Sequence, residues 1–164
     1  MCGIIGYVGD EDALPIVRDG LKNLEYRGYD SAGVVVQDAG DRTGNGLQIY
    51  KQSGEIDDLV LPTAVDARLA LGHTRWSTHG PPTDENAHPH SDCTGDVAAV
   101  HNGIIDNYAQ LREELIDAGH TFTSDTDTEV VPHLLEDALE EAPLVDALKQ
   151  VVDRISGSYA IAAT

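Results

Sequence analysis

Nothing limits the fold of this chain more than the way its hydrophobic periodicity changes in blocks. Residues 2–8 form a glycine-spaced apolar run suited to a strand whose backbone something else approaches closely. Leu14, Val17, Leu21 and Leu24 then mark a helical stripe. Residues 31–38, 47–52, 68–74 and 96–101 read as strands, with the turn-rich residues 39–46 joining the first two. Helical spacing returns at Tyr108, Leu111 and Leu115 and stops at Gly119, in the position of a C-terminal glycine cap. Another helix is expected over 127–139, with Asp127, Thr128 and Glu129 in its first turn and Pro132 close behind. A last one covers 145–155, its apolar face set by Val145, Leu148, Val152 and Ile155. Strands grouped with strands and helices with helices predict an α+β architecture on largely antiparallel sheet, not a regular βαβ winding. The chain then runs through the apolar, β-like residues 158–164 with nothing polar behind them, which predicts a piece of a longer polypeptide.

At 164 residues the chain has the length of one domain and can bury a core without disulfide staples. Its 29 Asp and Glu against 10 Lys and Arg leave a formal charge of −19, so a nucleic acid or an anionic membrane would meet like charge. No apolar run is long enough to span a bilayer, and the N-terminal run lacks a basic flank and is broken by Gly3, Gly6 and Gly9. Two cysteines do not make a secreted disulfide framework, and a reducing cytoplasm is the expected compartment. Hydrophobic content of 41% is that of a folded protein, so the excess acid belongs on the surface. Such a surface suits a high-salt cytoplasm, where the Debye length falls to roughly 3 Å at molar salt.

Several short segments carry chemistry. Cys2 directly follows Met1; removal of the methionine would put a thiol and a free α-amine on one residue, the amine titrating near pH 7.7 to 8.0 and able to serve as a base. A lone cysteine opening a strand is equally a small buried hydrophobe. His101-Asn102-Gly103 offers an amide side chain and an unobstructed backbone N–H, the donors an oxyanion needs, although Asn-Gly is also a hairpin signal. Gly72 to Gly80 sets Arg75 beside the sole Trp, Trp76, with Thr78 and His79 following: a possible carboxylate clamp with an apolar lid, or an Arg stacked on a Trp. Asp127 could receive an ammonium or cap a helix. Asn86-Ala87-His88-Pro89-His90, with Cys93 nearby, shows only one side of a tetrahedral metal set; it reads as a polar, mobile loop, and no metal or organic cofactor is expected. No phosphate-binding glycine motif is present.

Taken in order, Cys2 to Gly6, Tyr26 to Gly33, Gly72 to Gly80, Asn86 to His90, His101 to Asn107 and Asp125 to Glu129 resemble the motifs of class II glutamine amidotransferases, and fit best the glutaminase domains of the glucosamine-6-phosphate synthase family. The resemblance covers essentially the whole chain. It implies an N-terminal-nucleophile hydrolase fold, a four-layer αββα sandwich of mostly antiparallel sheets, occupied here by residues 1–164 and continuing in the family beyond them. It makes Cys2 the nucleophile after loss of Met1, Asn102 and Gly103 the oxyanion hole, and Arg75, Thr78, His79 and Asp127 the groups that grip L-glutamine. It gives Trp76 a part in gating ammonia and puts Arg27 close to the nucleophile. The implied partners are a C-terminal sugar isomerase module and, for the full-length enzyme, a second copy. The purine-pathway phosphoribosyl transferase, asparagine synthetase and glutamate synthase glutaminases share the class but fit the 26–30 and 75–79 segments less well. A non-catalytic module of the same fold would keep Met1.

The charge balance yields a test. Screening the carboxylates should raise the thermal midpoint steadily from dilute buffer to molar salt; a midpoint that does not rise would mark an ordinary acidic domain.

Overall fold

The computed structural model describes residues 2–38, 46–63 and 65–164. The expected turn at 39–46 falls almost wholly outside them. Strand β1, Gly3–Val8, leads through α1, Ala13–Leu24, to β2, Ser31–Asp38, β3, Leu47–Ser53, and β4, Ala67–Arg75. These four strands form an antiparallel sheet of order β1-β4-β2-β3. A second antiparallel sheet, of order β5-β6-β7, joins β5, His90–Ser91, β6, Ala98–Ile105, and β7, Gly157–Ala163. Between β6 and β7 run α2, Tyr108–Ala118, α3, Val130–Leu139, and α4, Leu144–Arg154.

The period of two in the strands stacks these elements into layers. Val34 and Val36 of β2 face α1 and pack with Val17 and Leu21, while Val35 between them faces the other sheet. Val35 and Leu71 there meet Ala98 and Val100 of β6. Ala99 and Ile105 of β6 turn outward onto Leu111, Val131, Leu134 and Val151 of the three later helices. The result is the αββα sandwich, with α1 on one outer face and α2 to α4 on the other.

Three elements differ from expectation. Strand β6 does not stop before Asn102-Gly103 but runs through it to Ile105, because Gly103 at φ +130° lets the strand bend without leaving its partner β7. The expected 127–139 helix is split into a 3₁₀ turn, Asp127–Glu129, and α3, which keeps Pro132 in its first turn. Helix α4 is rotated from the expected stripe: Ala147 and Val151 are buried, while Val145 is 68% and Val152 40% exposed; Leu148 packs against the core and Ile155, just behind the helix, is buried, as expected. The two stripes differ by about one residue of rotation, and the smaller Ala147 allows closer approach to the neighbouring layer. The Gly119 cap is as expected, with φ +108° and the His120 N–H donating to Leu115 O at 3.0 Å.

The 3₁₀ turn depends on a buried acid. Glu129 accepts from Thr123 N and Oγ1 at 2.7 and 2.9 Å and from Ser124 N and Oγ at 2.7 and 2.5 Å. Glu129→Ala would strand these donors in the interior and should cost about 3 kcal/mol, read as a fall in the denaturation midpoint with unchanged slope.

Candidate active site

An open cleft of about 500 Å³ lies at the start of β1, lined by Cys2, Arg27, Trp76, Thr78, Asn102, Gly103 and Ile104. A narrow recess behind it shares Cys2, Trp76, Thr78 and Gly103 and adds Arg75, His101, Asp127 and Thr128. Strand pairing explains the convergence. Gly3 is opposite Thr74, so Cys2 abuts the end of β4, where the Trp76 N–H donates to Cys2 Sγ at 3.2 Å. Cys2 is half-buried and its thiol is free.

Across the cleft, the Asn102 amide is held from both ends. Its Nδ2 donates to Cys2 O at 3.1 Å, and its Oδ1 lies 2.9 Å from His73 Nε2. A carbonyl can only accept, so Nδ2 faces Cys2 and His73 must carry its proton on Nε2. Burial drives the His73 pKa down to about 4, the Asn102 contact opposing and Arg75 adding to the fall, so the ring is neutral and one tautomer is enforced. His73 was visible in the sequence inside the Gly72–Gly80 motif, but its role was not, because its partner is on another strand of the other sheet. Gly103 is required by its conformation and by space, since a Cβ would sit 1.8 Å from Ser158 O.

The segment after β4 is shaped from several directions. Asp30 accepts from Ser77 N at 2.9 Å, and its own N–H donates to Arg75 O at 3.1 Å. Gly28 lets the 26–30 segment press against this backbone: a Cβ there would meet Arg75 C at 2.7 Å. Arg75 is buried, and its Nη2 donates to the carbonyls of His79 and, at 3.4 Å, Gly80, while Nη1 reaches Pro81 O at 3.4 Å. The guanidinium therefore braces the loop and is not an open fork toward the cleft. Burial lowers its pKa, opposed by the nearby carboxylates of Asp127 and Asp30. The His79 ring packs edge-on against Tyr108 at 5.5 Å and lies outside the cleft lining, so only its carbonyl serves this arrangement. Arg27 lines the cleft with its Nε on Tyr26 Oη at 3.1 Å, and Trp76 stands half-exposed, edge-on to Tyr29 at 5.6 Å.

Asp127 caps no helix. It is buried, and its Oδ2 accepts from Ile105 N at 2.9 Å, which fixes the carboxylate in the recess beside Arg75. Residues 86–90 are not a mobile polar loop. Asn86, His88 and His90 are all buried. Asn86 joins Pro81 O at 3.0 Å to Asp125 N at 2.9 Å. His88 stacks on His73 at 4.2 Å and meets His90 at 4.9 Å; His90 Nε2 is 2.9 Å from Thr126 Oγ1, and His101 Nδ1 is 2.8 Å from Thr128 Oγ1. A run of loop-like residue types is therefore turned inward as a hydrogen-bonded histidine layer behind the cleft. Among the described residues, one grouping of His, Cys and Glu has ligand atoms close enough for a metal, and it involves Cys93 but neither His88 nor His90.

The glutamine amidotransferase domain family matches residues 73–164. A glutamine–fructose-6-phosphate aminotransferase (isomerizing) of Halobacterium salinarum is 57% identical over all of this chain and 26% of its own length. That of Thermococcus kodakarensis is 51% identical over 99% of this chain and 27% of its own length. The chain thus spans about a quarter of the curated relatives it matches. Among solved structures, the glutamine phosphoribosylpyrophosphate amidotransferase from B. subtilis superposes with a TM-score of 0.80 at 30% identity, covering 98% of this chain and 34% of that one. No helix among the described residues is long and apolar enough to cross a membrane.

The histidine layer sets a pH dependence. Burial pulls His88 and His90, like His73, well below their ordinary range. The unfolded chain therefore takes up these protons first, near pH 6.5, so stability is full above that pH and is lost as the pH falls toward the native pKa values. For His73, held at about 4 in the fold, the loss is on the order of 3 kcal/mol. Denaturant midpoints at constant salt should fall continuously from about pH 7.5 to about pH 5; a flat profile would show that these rings are not held neutral.

Proposed function

The chain belongs to the glutamine amidotransferase domain family, and on that premise we propose that its cleft hydrolyses the side-chain amide of L-glutamine through a thioester on Cys2. The observation that carries this reading is the meeting of Cys2 Sγ, the locked Asn102 amide and the Gly103 backbone in one cleft. With Met1 removed, the Cys2 α-amine takes the thiol proton and the thiolate attacks the amide carbon. Negative charge then develops on the amide oxygen, against Asn102 Nδ2 and Gly103 N–H. Collapse of this intermediate expels ammonia, protonated by the α-ammonium. Water, deprotonated by the same amine, cleaves the thioester to release glutamate, so that glutamine and water become glutamate and ammonia.

The other end of the substrate lies in the cleft against the wall of the recess, which at about 20 Å³ holds little more than a water. Arg75 and Asp127 present opposite charges within it, matching the α-carboxylate and α-ammonium of an amino acid, and Thr78 adds a hydroxyl at the boundary. Arg75 acts by charge and by bracing the 79–81 carbonyls; His79 acts through its carbonyl; Arg27 and Trp76 border the mouth. His73 is a positioning residue, acting through Asn102. The high identity to isomerizing aminotransferases, together with the shorter span of this chain, supports a glutaminase domain, residues 1–164, that delivers ammonia to fructose 6-phosphate on a sugar isomerase module of a longer chain, forming glucosamine 6-phosphate. The exposed Tyr26, Tyr29, Trp76 and Ile104 around the mouth offer an apolar rim for such a module to cover.

Intact mass in molar salt, before and after 6-diazo-5-oxo-norleucine, tests the reading: Met1 absent and one adduct on Cys2 are expected, whereas Met1 retained in native protein would overturn it. In glutaminase assays Cys2→Ala should abolish turnover, and Asn102→Ala should lower kcat by about 10²- to 10³-fold. His73→Ala should lower kcat with KM little changed, separating loss of amide orientation from loss of glutamine binding.

A further inference from the structure

Cys93, His120, His133 and Glu136 come from three separate parts of the chain and share no residue with the cleft or its recess. Cys93 Sγ lies 3.6 Å from His120 Nδ1 and 3.6 Å from His133 Nδ1, and Glu136 Oε2 lies 3.1 and 3.4 Å from the same two nitrogens. All four atoms fall within 4.8 Å of one another. A tetrahedral zinc ion with bonds of about 2.3 Å to sulfur and about 2.0–2.1 Å to nitrogen and oxygen requires ligand-to-ligand edges of roughly 3.3–3.6 Å. We propose that these four side chains form a structural binding site for a divalent transition metal, zinc by donor type.

The surroundings fit that use. His120 Nε2 is 3.0 Å from Asp137 Oδ1, an outer carboxylate that fixes the proton on Nε2 and leaves Nδ1 bare toward the cluster. A bare Nδ1 facing a carboxylate oxygen at 3.1 Å is lone pair against lone pair, and only a cation between them or a second proton on the ring resolves it. The Thr121 N–H points at Cys93 Sγ at 3.5 Å and the Cys93 N–H at Glu136 Oε2 at 3.2 Å, so backbone donors hold both ligand atoms in place. The positions are held by regular structure: Cys93 sits in the turn after β5, His120 directly behind the Gly119 cap of α2, and His133 and Glu136 one turn apart on α3. Cys93 is exposed, so an ion has access. With four protein ligands and no open position, the ion would tie the β5–β6 turn and the end of α2 to the helix that follows the Asp127 turn. A mixed thiolate, imidazole and carboxylate set selects zinc or cobalt over magnesium or calcium. The proposal is independent of the reaction assigned to the cleft.

Co(II) is the probe. The full chain, stripped of metal by a chelator under reducing conditions, should take up one equivalent of Co(II), with a thiolate-to-metal charge-transfer band and the intense visible bands of a tetrahedral ion. Zn(II) should displace it and raise the thermal midpoint. Cys2→Ser should keep the spectrum, Cys93→Ser should lose the charge-transfer band, and Asp137→Ala should weaken binding about tenfold or more. The proposal is overturned if the native protein shows only the pale spectrum of loose binding to surface carboxylates. A charge-transfer band that survives Cys93→Ser and disappears in Cys2→Ser overturns it equally.

Discussion

The contact from His73 on β4 to Asn102 on β6 joins the two sheets beside the head of β1, because the other end of the same amide holds Cys2, the residue before that strand. Three strands from two sheets are thereby referenced to one side chain. The apolar contact between the sheets centres on Val35 and Leu71 against Ala98 and Val100, flanked by Ile4, Leu47, Ile49 and Ala162, and buried histidines lie beside it. A polar layer at this depth is tolerated only when its members are neutral and partnered. Burial supplies the neutrality, and Asn102, Thr126 and Thr128 each partner one ring nitrogen, of His73, His90 and His101, while the second nitrogen of each of these rings is buried without a partner. The inner layer is less a second hydrophobic core than a frame for the cleft.

Much of this was legible in the sequence because it is local. β-rich runs bounded by turn residues mark the strands, and the glycine at the end of α2 marks its cap. The residues of the cleft could be collected because their motifs end strands that pair: Cys2 and Arg75–Trp76 are brought together by the β1–β4 register. What could not be read is what depends on partners distant in sequence. Residues 86–90 have the composition of a loop, and their burial follows only from Thr126 and Asp125 being present to receive them. His79 has the composition of a ligand-binding residue, yet Tyr108 draws its ring elsewhere. Nearness in sequence groups Cys93 with His88 and His90, whereas its neighbours in space lie 27 and 40 positions away. On α4 the difference is a rotation: Ala147 and Val151 face the core in place of Val145 and Val152, while Leu148 and Ile155 pack against it as their spacing implies.

The surface follows another rule. Nearly all the acidic excess is solvent-facing, and the ion pairs among exposed groups, such as Lys149 with Asp146 and Arg154 with Glu114, contribute little and are easily screened. The carboxylates that matter for the cleft, Asp127 and Glu129, are buried and satisfied by backbone and hydroxyl donors, not by lysines. Architecture and charge are thus separated by depth.

That separation bears on how the recess would recognise a charged ligand. Ionic strength acts most on exposed charges, and Arg75 and Asp127, both buried in the wall of the recess, are screened much less than the carboxylates of the surface. A solution concentrated enough to silence the outer carboxylates leaves the field between Arg75 and Asp127 almost intact. The molecule is in this sense two electrostatic compartments, one that tracks its medium and one insulated from it, and a brine that steadies the fold need not blunt the discrimination made inside.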